Sequence, residues 1–118
     1  MADAPLTVVE TEEFLRKTKP LMSEREREEL VAFLGANPEG KIVAESGGVR
    51  KVRWRLAGRG KRGGARVIYY YHSDRLPLFL LTAYPKNEKA NLTQAERNAM
   101  KRLVQMLLTG NPGKKQEG

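Results

Sequence analysis

Cysteine is absent from the sequence. That excludes a disulfide framework, a thiol nucleophile and a thiolate metal site, and it fits a reducing compartment. Histidine is almost as scarce, with His72 alone. One imidazole and scattered carboxylates make no ligand cluster, so neither metal nor cofactor is expected. No apolar run approaches the ~20 residues that a membrane span needs. Residues 1–5 include Asp3 and lack a basic n-region and an apolar h-region, so they do not read as a secretory signal. A soluble, cytoplasmic protein with no membrane partner is expected. Aromatic residues make up only 7% of the chain and apolar residues 40%. The 118 residues therefore suit a single domain over 1–118 with one modest, mostly aliphatic core.

Negative charge is scarce where positive charge is dense. Residues 1–40 hold five Lys/Arg against nine Asp/Glu, residues 41–75 ten against two, and residues 76–118 seven against three. The formal net charge of +8 thus falls on the second half of the chain. A face so polarised most commonly meets phosphate.

Residues 6–9 are β-prone and read as a first strand. Residues 11–19 look helical, with Phe14 and Leu15 pointing inward and Pro20 as the stop. Ser23 and Glu26 form a capping box, after which Leu30, Val31, Phe33 and Leu34 recur at helical spacing. Beyond Gly40 the period changes to alternation. Residues 42–44 make a short edge strand, broken by Gly47-Gly48. Along residues 49–56, Val52, Trp54 and Leu56 share one face with Arg50, while Lys51, Arg53 and Arg55 share the other. Residues 65–72 form the next strand. Residues 76–84 form another, apolar enough to be buried on both faces, and the short connections imply an antiparallel meander. Thr93 and Glu96 form a second capping box, and Met100, Leu103, Val104 and Leu107 make the apolar stripe of a last helix. Order is expected over about residues 6–109, with 110–118 a flexible tail. The pattern predicts an α+β domain with helices packed on a sheet.

Three groups of residues suggest chemistry. Lys51, Arg53 and Arg55 line one strand face about 7 Å apart, a spacing that suits successive phosphates; Arg50 adds a fourth cation to the run. Arg59, Lys61 and Arg62 lie in a glycine-rich loop that permits close backbone approach but lacks the P-loop order. Arg66 sits within the strand that follows, where its guanidinium is held rigidly enough to clamp phosphate through two parallel hydrogen bonds. The third group is Tyr84-Pro85-Lys86-Asn87-Glu88-Lys89, a loop that sets Lys86 and Lys89 beside the sheet edge. Trp54 and the tyrosines offer stacking surfaces, but alternation assigns Trp54 to the core. His72, at a strand end beside a turn, reads as a surface or packing residue.

Three blocks carry a family resemblance: Val49-Arg50-Lys51-Val52-Arg53, then Gly60-Lys61-Arg62-Gly63-Gly64-Ala65-Arg66-Val67-Ile68-Tyr69-Tyr70, then Leu81-Thr82-Ala83-Tyr84-Pro85-Lys86-Asn87-Glu88-Lys89-Ala90-Asn91-Leu92-Thr93. In order and spacing they resemble the HigB branch of the RelE toxins, over about residues 6–108. The resemblance implies a RelE-like fold, an antiparallel sheet of four or five strands with a mixed edge, two N-terminal helices and one C-terminal helix. It implies the toxin of a type II toxin–antitoxin system, a metal-independent endoribonuclease that cuts messenger RNA in the ribosomal A site and so inhibits translation. The implied partners are the ribosome, messenger RNA and a HigA-like antitoxin with a helix-turn-helix domain, through which operator DNA is reached indirectly. The alternative is a non-catalytic, basic nucleic-acid-binding module.

By the resemblance, Lys51 and Arg53 match the family's strand pair, Arg66 its arginine on the next strand, and residues 86–89 its basic loop. Better-known members carry an arginine where Asn87 stands, a tyrosine near Thr93 and a glycine where Pro85 stands. Lys86, Lys89 or Tyr84 then take over those duties. RNA can be cut by attack of its own 2′-OH on phosphorus. Arg66 and Arg53 suit stabilisation of the added negative charge. Lys51, whose ammonium is disfavoured by neighbouring cations, is the candidate base, Lys86 or Lys89 the acid or a phosphate clamp, and Tyr84 the reserve for either role.

Overall fold

A computed structural model of the chain describes residues 6–56, 63–89 and 91–109. Thr11 connects the first strand to the first helix. It follows β1 (Val8–Glu10) and caps α1 (Glu12–Thr18), where its hydroxyl accepts the Phe14 N–H and donates to the Leu80 carbonyl at 2.7 Å. One side chain thus satisfies a free helix donor and ties that helix to the centre of the sheet.

The second helix, α2 (Glu24–Ala36), opens with the Ser23/Glu26 capping box, and the last, α3 (Gln94–Leu108), with the Thr93/Glu96 box. Between them run β2 (Lys41–Ile42), β3 (Val49–Trp54), β4 (Ala65–Tyr70) and β5 (Leu78–Pro85). The five-stranded sheet has the order β1-β5-β4-β3-β2, with β1 parallel to β5 and every other pair antiparallel. The α+β fold with a mixed edge is as expected. The edge strand β2 starts one residue earlier and is shorter than read, and β4 ends at Tyr70, before His72.

Each face of the sheet has its own core. Phe14, Leu30 and Leu34 of α1 and α2 cover Val67, Tyr69, Leu78 and Leu80, with Val52 and Trp54 packed at the margin. On the opposite face Val104, Met100, Leu103 and Leu107 of α3 cover Val49, Ile68, Tyr70 and Leu81. Two expectations need correction. Leu15 is 39% exposed and Phe33 42%. Each is one residue, 100° of helix, away from a fully buried neighbour, Phe14 or Leu34, and so points off the sheet. Phe33 is not wholly in water, since its ring lies 5.4 Å from that of Trp54.

A β-bulge decides which face the end of β5 presents. Ile68 pairs with Thr82 but Tyr69 with Leu80, which leaves Leu81 unopposed. Phe79 and Tyr84 are five residues apart, an odd number, and in a regular strand would face opposite ways. The extra residue puts both on the α3 side.

Candidate functional site

The uncovered part of the α3 face lies at one end of the sheet. There the register sets Arg53 of β3 opposite Arg66 of β4, and Arg66 opposite Tyr84 of β5. Strands lie about 4.8 Å apart, so the three Cα atoms span about 10 Å in one row. Lys51 stands two residues back on β3 and begins the next row. Like charges directly opposite each other on a sheet repel, and Arg53 and Arg66 are such a pair. Among the described residues no carboxylate forms an ion pair with them, nor with Lys51, Arg55 or Lys86. The Nε of Arg66 and the hydroxyl of Tyr84 are buried without a hydrogen-bond partner among the described residues. Buried polar groups are normally satisfied, so these two donors are exceptions within the row.

Beside the row a cavity of about 330 Å³ is lined by Arg53, Trp54, Arg55, Gly63, Gly64 and Lys86. Gly64 shapes its wall. With φ of +153° and a Cβ position 3.2 Å from the Trp54 carbonyl, it is a place where the backbone closes in and a side chain is strained. Its carbonyl accepts the Lys86 N–H at 3.0 Å, which fixes where that lysine begins.

Proton affinities follow from this setting. The Lys51 ammonium is held below the ordinary lysine value of 10.5 by partial burial and then by the nearby charges of Arg66, Lys41 and Arg97. Its Nζ donates to the Asn91 Oδ1 at 3.4 Å. Burial pushes the Tyr84 phenol up from 10.0, only partly opposed by Arg66 and Lys89, so the phenol keeps its proton at neutral pH. Lys89 is engaged rather than free. Its Nζ is 2.5 Å from the Glu96 carboxylate and 4.8 Å from the centre of the Tyr84 ring. That hydrogen bond is the main reason the Glu96 carboxyl is held below 4.5.

Of the residues singled out from sequence, the structure brings together Lys51, Arg53, Arg55, Arg66, Tyr84, Lys86 and Lys89. Arg50 does not join them. It projects from the other face, as its alternation with Val52 implies, where it donates to the Gly40 carbonyl at 2.8 Å and lies 5.6 Å over the Tyr71 ring. Arg59, Lys61, Arg62 and the tail 110–118 lie outside the described residues. His72 is exposed, its Nδ1 3.3 Å from the Tyr70 hydroxyl. It is six residues beyond Arg66, about 20 Å along the strand direction. Thr93, near the position of the family's tyrosine, is committed to capping α3.

Arg97 escaped the sequence reading. It precedes Met100 and Val104 at helical spacing, and a cation on that apolar stripe was the available signal. Among the described residues no helix is long and apolar enough to cross a membrane. A family model described as the RelE toxin of the RelE/RelB toxin–antitoxin system matches residues 7–114.

Proposed function

The chain belongs to the RelE family of toxins of toxin–antitoxin systems, and from that premise we propose that it is an endoribonuclease of the HigB branch that cuts messenger RNA in the ribosomal A site. The observation that carries the reading is the row Arg53, Arg66 and Tyr84 beside Lys51, whose cations have no carboxylate partner among the described residues.

The scissile phosphate sits on Arg66 and Arg53. In-line attack by the 2′-oxygen forms a bond to phosphorus while the bond to the 5′-oxygen breaks on the opposite side. A base and an acid are therefore needed on either side of the phosphate. Lys51 and Tyr84 flank Arg66 on different strands, with Cα atoms about 12 Å apart by strand geometry. Lys51, whose charged form is disfavoured, takes the 2′-OH proton. Tyr84, which retains its proton, gives one to the departing 5′-oxygen and regains it from solvent. The products are a 2′,3′-cyclic phosphate and a 5′-hydroxyl. The two arginines stabilise the charge that grows on the phosphoryl oxygens, a contribution that is commonly the largest in such sites. Arg55 and Lys86, beside the 330 Å³ cavity, hold the strand as it leaves the row. Arg59, Lys61 and Arg62 add positive charge for RNA. The remaining partner is a HigA-like antitoxin carrying a helix-turn-helix domain, through which operator DNA is reached.

The test is a map of messenger ends in a translating extract given the purified protein. New 5′-hydroxyl ends within ribosome-occupied codons, absent when ribosomes are withheld, are expected. An intact messenger in the presence of folded protein would reject cleavage, and equal cutting of ribosome-free RNA would reject the A-site requirement.

A further inference from the structure

Lys41 and Asn91 neighbour Lys51 from outside that row, and Arg97 lies within electrostatic range of it. Lys41 of β2 is its cross-strand partner. Asn91, just before α3, accepts its ammonium at 3.4 Å. Arg97 of α3 is close enough to disfavour its charge. The helix holds the Arg97 backbone against the sheet, because Met100 and Val104 on the same stripe are packed into the core. Its guanidinium is poorly occupied. The Nε is buried with no partner among the described residues. One terminal nitrogen is 3.9 Å from the Glu45 carboxylate, a distance at the long limit for an ion pair, and that carboxylate is 63% exposed. Glu45 itself sits in the left-handed backbone region, at φ 54°, a conformation uncommon for a residue with a side chain.

We propose that Lys41, Asn91 and Arg97 form a second phosphate subsite, which takes the phosphodiester adjacent to the scissile one on the same RNA strand. The inference rests on the reading of this face as an RNA-cutting site. The row of Lys41 and Lys51 is displaced by two residues from the row of Arg53 and Arg66, or about 7 Å, a step that suits neighbouring phosphates on an extended strand. Arg97 comes from above the sheet and Lys41 from its edge, so the two cations enclose the chain from different sides. Asn91 supplies an amide donor with no charge of its own. The subsite also serves the chemistry. A bare phosphate beside Lys51 would favour its charged form, whereas one neutralised by Lys41 and Arg97 would do so far less.

The experiment is a set of double-mutant cycles between protein and RNA. A short, fully 2′-O-methylated single strand, which lacks the attacking hydroxyl, is titrated by fluorescence anisotropy at 50 mM salt. Its phosphates are replaced one at a time by neutral methylphosphonate. Arg97→Gln is expected to weaken binding on the order of tenfold and to become insensitive to neutralisation of one phosphate. That phosphate is expected to neighbour the one whose neutralisation couples to Arg66→Gln. Lys41→Gln, on an exposed edge strand, is expected to couple to the same position, so a disturbed α3 cannot imitate the result. Each lost contact lowers the salt dependence by about 0.7 in log–log slope. Additive effects at every position, or a wild type that does not bind the strand, overturn the subsite. Additivity together with messenger cutting by the wild type removes the subsite and keeps the cleavage reading. Coupling at the adjacent phosphate without messenger cutting does the reverse.

Discussion

The two faces of the sheet are built from the same strands and have opposite chemistry. On the α1/α2 face, β3 and β4 contribute Val52, Trp54, Val67 and Tyr69, which pack against Phe14, Leu30 and Leu34. The one β3 cation on that side, Arg50, has a carbonyl acceptor and a tyrosine ring. On the α3 face the next residues along, Lys51, Arg53 and Arg66, have no acidic partner among the described residues. Part of that face is sealed by α3 and part is left to the cations. Alternation along one strand thus separates two tasks. The α1/α2 face serves burial throughout, while the α3 face is apolar under its helix and holds like charges together beyond it, at a cost that a bound phosphate would offset.

The comparison makes predictions that can break it. The largest concerns Lys51. Its replacement by methionine is expected to lower single-turnover cleavage by about 10²- to 10⁴-fold, the range for a lost general base. The same change is expected to stabilise the protein at neutral pH. Because the lysine binds its proton less readily folded than unfolded, it opposes folding below its lowered value. That cost disappears as pH rises toward 10.5. Denaturant titrations of wild type and Lys51→Met should therefore differ by under about 1 kcal/mol near pH 7 and converge near pH 10.5. A variant less stable at neutral pH would contradict the assignment. On the other face, Phe14→Ala is expected to cost about 3–5 kcal/mol by leaving a cavity under α1, a large share of a small domain's stability. A urea midpoint close to that of the wild type would deny Phe14 its central place.

The smallest effect is expected at Glu96. Its carboxyl is held down chiefly by Lys89, so its contribution is present above the ordinary value of 4.5 and is lost as pH falls through the lowered folded value. Glu96→Gln keeps a side chain that can complete the capping box but removes the charge that holds Lys89. It is expected to change stability by under about 1 kcal/mol, a difference that thermal melts at pH 7 should find reduced at pH 3.

Much of this division is legible in the letters. Ser23 with Glu26 and Thr93 with Glu96 mark two helix starts, at Glu24 and Gln94. Alternation in Val49-Arg50-Lys51-Val52-Arg53-Trp54 assigns its cations to faces, Arg50 included. What is not legible arises where elements meet. The unopposed Leu81 is a product of pairing with β4, and without it Tyr84 would face away from Arg66. Arg97 comes within electrostatic range of Lys51 because α3 packs on that face, a relation that no spacing within either segment encodes. Leu15 and Phe33 are apolar letters on helix flanks, where a neighbour one position away takes the buried place.

The most direct test compares two consecutive residues of β4, Arg66 and Val67, which face opposite sides of the sheet. Arg66→Ala and Val67→Ala should be measured side by side for melting temperature and for messenger cleavage below the melt. The expected result is that Arg66→Ala loses cleavage by about 10²- to 10³-fold and melts at or slightly above the wild-type temperature. Val67→Ala should melt roughly 10 °C lower and cut at close to the wild-type rate. If Arg66→Ala still cuts messenger at the wild-type rate, or if the two variants lose stability and activity together, the division of labour between the faces is wrong.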